Sequence, residues 1–266
     1  MSVFKDGLLQ GKAVFVTGGS SGINLRIAER MAEAGAKVAI NGRNVEKLEA
    51  AVKGITSRGH TAKGFAADVR DYASLEKAIT AAVEAFGPID VLVCGAAGNF
   101  PAPVLGMSSN GFKAVMDIDT LGTFNAARAC FEHLRKPGAC VINISAPQGS
   151  VPMAMQAHVC AAKAGVDMLT RVMAVEWGGA GVRVNSISPG PIEGTEGMDR
   201  LAPTEAARGK VRELVPLQRM GTRDDIANLA LFLTTEAASY ITGAVLPCDG
   251  GQTLLGGGAL VSAMTS

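Results

Sequence analysis

Short apolar runs alternate with amphipathic segments along the chain at fairly even spacing. The runs at 12–19, 37–43, 64–69, 89–95, 140–145, 182–188 and 244–251 read as strands. Most are apolar on both faces, the pattern of parallel strands covered by helices on each side. Segments 23–34, 44–57, 72–86, 108–134, 156–178 and 223–235 carry helical periodicity. Strands that alternate with helices through right-handed crossovers predict an α/β fold. The expected architecture is a single Rossmann-type domain over 1–266, with a doubly wound parallel sheet of about seven strands flanked by helices. The stretch 195–219 interrupts the alternation just before the last helix. It predicts a substrate lid over the carboxyl edge of the sheet, where open α/β folds bind ligands.

Composition narrows the class. The chain has 266 residues, 48% of them hydrophobic and only 18% charged, which suits one large, well-buried domain. With 25 Lys+Arg against 24 Asp+Glu, the net charge is +1 and no basic excess points to nucleic acid or a membrane surface. Cys94, Cys130, Cys140, Cys160 and Cys248 are odd in number and scattered, and the three histidines show no metal-ligand spacing. Reduced thiols used as small apolar residues suggest a reducing compartment. The opening "MSVFKDGLLQGK" lacks the apolar core of a signal peptide, no run approaches a membrane span, and "AMTS" matches no retention or peroxisomal address. The expectation is a cytoplasmic protein without a metal.

Candidate chemistry begins at "VFVTGGSSGIN", which sets Gly18, Ser20, Ser21 and Gly22 between a strand and a helix starting near Ile23. Glycines allow close backbone approach to a pyrophosphate, and the helix N-terminus offers free N–H groups. The second strand ends "NGR". Gly42 stands where an NAD site carries an acid, and Arg43 follows, so the predicted cofactor is NADP(H). Two charges then fall on apolar helix faces. Asp119 shares a stripe with Phe112, Val115, Met116, Thr123, Ala126 and Cys130, whereas Asp117 points away. Lys163 shares a stripe with Val159, Ala162, Val166, Leu169 and Met173. Buried charges are costly unless partnered, so the two should meet each other, a water or a ligand. A pair serving only the fold is the plain alternative.

The spacing T-G-x-x-x-G-x-G resembles that of the short-chain dehydrogenase/reductase family, and the resemblance runs over nearly the whole chain. One departure is Asn24, which replaces the last glycine and whose amide could donate to a phosphate. "CGAAGN" from Cys94 replaces the family's Asn-Asn-Ala-Gly. The resemblance implies cofactor contacts at Asp68 and Val69 in "AADVRD", at Ala96, and at Pro189, Gly190 and Ile192 in "SPGPI". It implies that Lys163 contacts the nicotinamide ribose and that Asp119 takes the place of a helix asparagine. The family serine falls on Ala146 and its tyrosine on Val159, so the usual serine and tyrosine are both missing. Tyr72 and Tyr240 have no evident route to the site.

"GNF", "FKAVMDIDTLGTFN", "QAHVCAAKAGVDMLTRVMAVEWG" and "SPGPIEGTEG" together look very like peroxisomal-type 2,4-dienoyl-CoA reductases, which also lack the tyrosine and use an aspartate with the lysine. The resemblance implies NADPH-dependent reduction of a 2,4-dienoyl-CoA to a 3-enoyl-CoA in auxiliary fatty-acid β-oxidation. Asp119 and Lys163 would be catalytic, with Asn99, Phe100, Ser145 and His158 near the acyl-CoA substrate. Met153, Met155 and Met198 flank the expected pocket. Arg200, Arg208, Lys210 and Arg212 of the insertion could meet coenzyme A phosphates or form a solvated face. Homodimers or homotetramers through the long helices are implied as well. Two other readings stay open: an NADPH-dependent carbonyl reductase in which His158 or a water replaces tyrosine, and a cofactor-binding protein without turnover.

Overall fold

The computed structural model describes residues 4–257. Seven parallel strands form one sheet: β1 (Ala13–Thr17), β2 (Lys37–Gly42), β3 (Thr61–Ala66), β4 (Val91–Cys94), β5 (Cys140–Ile144), β6 (Arg183–Pro189) and β7 (Val245–Cys248). Their order is β3-β2-β1-β4-β5-β6-β7. This is the expected doubly wound sheet. Alternation along β1 shows why central strands are apolar throughout: Val14 and Val16 enter one core, and Phe15 enters the other. The first core also takes Ile27 and Met31 of α1 (Gly22–Glu33), Leu48 of α2 (Val45–Thr56) and Ile226 of α9 (Arg223–Leu233). The second takes Leu75 and Ile79 of α3 (Tyr72–Phe86), Ala126 and Cys130 of α5 (Gly122–Cys130), and Met173 of α6 (Ala157–Trp177).

Three segments differ from expectation. β3 lies at Thr61–Ala66 rather than 64–69. It is an edge strand, so half of it is exposed and carries no apolar run. The apolar Ala67 and Val69 that suggested a strand are buried in the following connection, where the Val69 carbonyl accepts from Asn125 Nδ2 at 2.8 Å. The last strand stops at Cys248, and Asp249 turns the chain by accepting from the N–H groups of Gly251 and Thr253. Finally, the long helix expected at 108–134 is broken. α4 (Ser109–Met116) runs into a π-helical turn at Asp117–Leu121, then α5, then a short 3-10 turn at Phe131–His133. Thr123 Oγ1 bonds back to the Asp119 carbonyl at 2.6 Å, and Thr120 Oγ1 reaches across to the Ala162 carbonyl at 3.0 Å. These side-chain bonds hold the widened turn against α6.

The expected insertion is two short helices, α7 (Glu196–Leu201) and α8 (Glu205–Glu213), begun by the caps Thr195 and Thr204. Arg208 pairs with Asp199 at 2.9 Å and Arg212 pairs with Glu205, so these arginines are engaged within the insertion. α9 closes the fold behind it. Its N-terminus is a capping box in which Thr222 and Asp225 satisfy each other's backbone N–H. Hydrogen bonding from Arg219, followed by the Thr222 bonds, holds the Asp225 carboxyl at about 2. A carboxyl depressed in this way stabilises the fold above its ordinary 3.8, and the contribution fades as pH falls towards about 2. Asp225→Asn should therefore lower the melting temperature at pH 7 and change it little near pH 2, which thermal melts across that range would check.

Candidate active site

A cleft of about 780 Å³ opens along the carboxyl ends of the strands. Every residue expected at the cofactor lines it: Gly18, Ser20, Ser21, Gly22, Ile23, Arg43, Asp68, Val69, Ala96, Lys163, Pro189, Gly190 and Ile192. Local physics explains the phosphate end. Gly18 has φ +65, and a β-carbon there would stand 2.9 Å from Ala96 Cα, so only glycine fits. Ser21 begins α1 without a side-chain cap, which leaves the helix N-terminal N–H groups turned to the cleft. These features fit the pyrophosphate of a dinucleotide. Asp68 faces Arg43 at 3.7 Å and takes a tighter contact from Arg70 at 2.6 Å, and hydrogen bonding from Arg70 is the main influence that draws its carboxyl below the usual range. Asn44 and Lys47, at the start of α2, line the same end and were not foreseen. Their signal was a base one turn beyond Arg43.

At the other end the two buried charges meet. Lys163 Nζ lies 3.0 Å from Asp119 Oδ2, with side-chain exposures of 7% and 0%. The ammonium also donates to the Ile144 carbonyl at 3.0 Å, and Asp119 Oδ1 accepts from Gly98 N–H at 2.7 Å. The π-helical turn aims the carboxylate at both partners; such turns cluster at functional sites. The approach to Oδ2 is off the hydrogen-bonding axis, so this oxygen is an ion-pair partner that keeps acceptor capacity. Asp117 turns outward to pair with Lys113. Val159, where tyrosine would stand, packs with Val115 and Ala162 and offers no proton.

A second acid lies close by. Asp167, one turn beyond Lys163 on α6, is buried and accepts from Ser186 Oγ at 3.2 Å. Burial raises its carboxyl pKa, partly offset by the Ser145 and Ser186 hydroxyls. Ser145 influences it through proximity, because its hydroxyl lacks a well-angled partner. The i, i+4 spacing from Lys163 was the available signal for Asp167.

Other expectations divide. Ser145 lines the cleft. His158 does not: it is fully buried, its ring meets Phe100 edge-on at 4.4 Å, and neither nitrogen has a hydrogen-bond partner. Asn99 and Phe100 also lie outside the cleft lining, and Arg200 of the lid donates to the Asn99 carbonyl at 3.2 Å. The Asn24 amide donates to the Gly95 carbonyl at 2.6 Å, not towards the phosphate position. Met198 lines the cleft, whereas Met153 and Met155 are partly exposed outside it. Tyr72 accepts from Arg128 on the far side of α5, and Tyr240 is fully exposed. Among the described residues no three His, Cys, Asp or Glu side chains group as metal ligands, and no helix is long and apolar enough to cross a membrane.

Residues 18–253 match the family model described as enoyl-(acyl carrier protein) reductase. The chain belongs to the short-chain dehydrogenase/reductase family. It is 43% identical over 254 residues to a Danio rerio protein named peroxisomal 2,4-dienoyl-CoA reductase, (3E)-enoyl-CoA-producing, covering 95% of this chain and 85% of that one. A Bacillus subtilis protein named probable 2,4-dienoyl-CoA reductase, (2E)-enoyl-CoA-producing, is 43% identical over 249 residues, covering 92% and 98%. The crystal structure of a short chain dehydrogenase from Bacillus anthracis superposes with a TM-score of 0.83 at 38% identity, covering 92% and 97%. The short-chain dehydrogenase/reductase assignment makes the chain an oxidoreductase with a nicotinamide cofactor, which the glycine turn and open helix N-terminus accommodate.

Breaking a buried pair by removing one partner typically costs about 3–5 kcal/mol, whereas replacing both by apolar groups is often neutral. Asp119→Ala and Lys163→Ala should each lose stability on that scale. The paired Asp119→Leu/Lys163→Met variant should stay within about 1–2 kcal/mol of wild type in denaturant titration.

Proposed function

We propose that the protein reduces 2,4-dienoyl-CoA thioesters with NADPH. The observation that carries this is the buried Asp119–Lys163 pair at the inner end of the cleft, beside an apolar Val159. Reducing a carbonyl requires an acid at the adjacent oxygen. A conjugated dienoyl thioester makes a different demand. When bound, the reduced nicotinamide supplies a hydride to the δ-carbon. The two double-bond electron pairs shift towards the thioester, whose oxygen takes the charge as a dienolate. A proton then reaches the α-carbon, leaving a β,γ double bond: a 3-enoyl-CoA and oxidised cofactor. What the chain must provide is stabilisation of that oxygen and a modest proton source. Lys163, fixed by Asp119 and the Ile144 carbonyl, supplies positive charge in a dry setting. Asp119 Oδ2 can orient a water, and Asp167 holds its proton more strongly than an exposed aspartate.

Arg43, Asn44 and Lys47 around Gly42 favour a 2′-phosphate on the cofactor. Leu121, Phe124, Met168, Val172 and Val175 leave an exposed apolar face on the helices away from the sheet, which suits pairing of two or four copies of this chain. All five cysteines are unpaired, which suits the reducing cytoplasm. The Danio rerio relative is, by its name, peroxisomal.

Purified protein with NADPH and a 2,4-dienoyl-CoA should lose diene absorbance and oxidise cofactor in equal amounts, with Lys163→Ala and Asp119→Asn slowed by about 10²-fold or more. Deuterium from D2O should appear at the α-carbon of the product; label at the γ-carbon would instead mean a 2-enoyl product. Cofactor binding without loss of diene would defeat the proposal. Separately, Arg43→Glu should shift preference towards NADH by about tenfold, read from kcat/KM for both cofactors.

A further inference from the structure

β1 and β4 are neighbours in the sheet, yet the chain leaves them in opposite directions, towards β2 on one side and β5 on the other. The crevice of a doubly wound fold opens at such a point. Here its two lips are stitched together by side chains of the first strand–helix unit. Thr17 Oγ1, at the end of β1, accepts from Gly95 N–H at 3.0 Å. Asn24, in the first turn of α1, donates from Nδ2 to the Gly95 carbonyl at 2.6 Å. Gly95 is thus held at both backbone polar groups.

The fit around this amide is close on both sides. A β-carbon on Gly95 would stand 2.2 Å from Asn24 Oδ1 and 2.4 Å from its Cγ. A β-carbon on Gly18 would stand 3.2 Å from Asn24 Nδ2. The carboxamide is therefore wedged between the phosphate turn and the end of β4. One of its two N–H groups is given to Gly95, and Oδ1 is a buried acceptor without a partner, the wrong polarity for a phosphate oxygen. Asn24 acts on a ligand through the backbone it positions.

We propose that Asn24 is a positioning residue that fixes the spacing of the crevice, with Gly95 as its required counterpart, so that a dinucleotide can contact both lips at once. This rests on reading the cleft as the nicotinamide cofactor site. The adenosine side of the cleft is built by Arg43 and Asp68, and the nicotinamide side by Ser145, Lys163 and Pro189. Altered spacing penalises a ligand that spans both sides and spares a fragment confined to one.

The sharpest variant is Asn24→Asp, nearly the same shape but with an acceptor facing the Gly95 carbonyl. Dissociation constants for NADPH and for adenosine 2′,5′-bisphosphate would be measured by calorimetry on wild type, Asn24→Asp, Gly95→Ala and Asn24→Gly/Gly95→Ala, with apoprotein melting curves alongside. The expected result is NADPH binding weakened about tenfold or more in both single variants, bisphosphate binding within about threefold of wild type, and the double variant tighter for NADPH than Gly95→Ala. Equal losses for both ligands, unchanged NADPH affinity, or a double variant no better than Gly95→Ala would each overturn it. A wild-type protein that prefers NADH would correct only the 2′-phosphate reading, and the same comparison would then use NADH and AMP. Wild type that binds no dinucleotide overturns the cofactor site and this proposal together.

Discussion

The arrangement depends on a buried opposite-charge contact at the edge of the cleft: Lys163 against Asp119, 3.0 Å apart. Neither charge is tolerable there alone. Each is anchored by backbone as well, the lysine at the Ile144 carbonyl and the carboxylate at the Gly98 N–H. The pair therefore ties α6 and the π-helical turn to the ends of β4 and β5. It also places a fixed positive charge at the inner end of the cleft, where a hydroxyl acid would otherwise be needed.

The sheet supplies the other constraint. Seven parallel strands present their carboxyl ends to one side, and the connections that follow β1, β4, β5 and β6 all contribute to the cleft. The glycine turn brings backbone to the floor of the cleft, α7 contributes Gly197, Met198 and Leu201 to its lining, and Arg200 fastens α7 to the loop after β4. Within this frame Val159 is a packing residue. The missing tyrosine leaves an apolar wall rather than a hole.

The fold was largely legible because central parallel strands and the helices that cover them differ in period. Legibility failed at the edges. β3 has one neighbour and little burial, so its apolar signal came from Ala67 and Val69 in the next connection. The cofactor residues were readable because glycines and a strand-end arginine have positional meaning. Asp119 and Lys163 stood out as charges on apolar stripes. The π-helical turn left no trace in a 3.6-residue period, and one of the bonds that hold it, Thr120 to the Ala162 carbonyl, exists only through tertiary contact. His158 looked available from sequence because its partner in packing, Phe100, lies 58 positions earlier and only the fold brings the rings together. Asp167 lies one helical turn from Lys163, but its hydrogen-bond partner Ser186 comes from β6, which only the fold brings beside it.

The central claim is that the Asp119–Lys163 pair does the work assigned elsewhere to tyrosine. The most direct measurement is a rapid-mixing experiment on the Asp119→Leu/Lys163→Met variant, first shown to be folded, with NADPH and a 2,4-dienoyl-CoA. At saturating NADPH, the account predicts diene absorbance that stays constant on the timescale of wild-type turnover. Diene loss within about tenfold of the wild-type rate would contradict it and return the pair to a purely structural role.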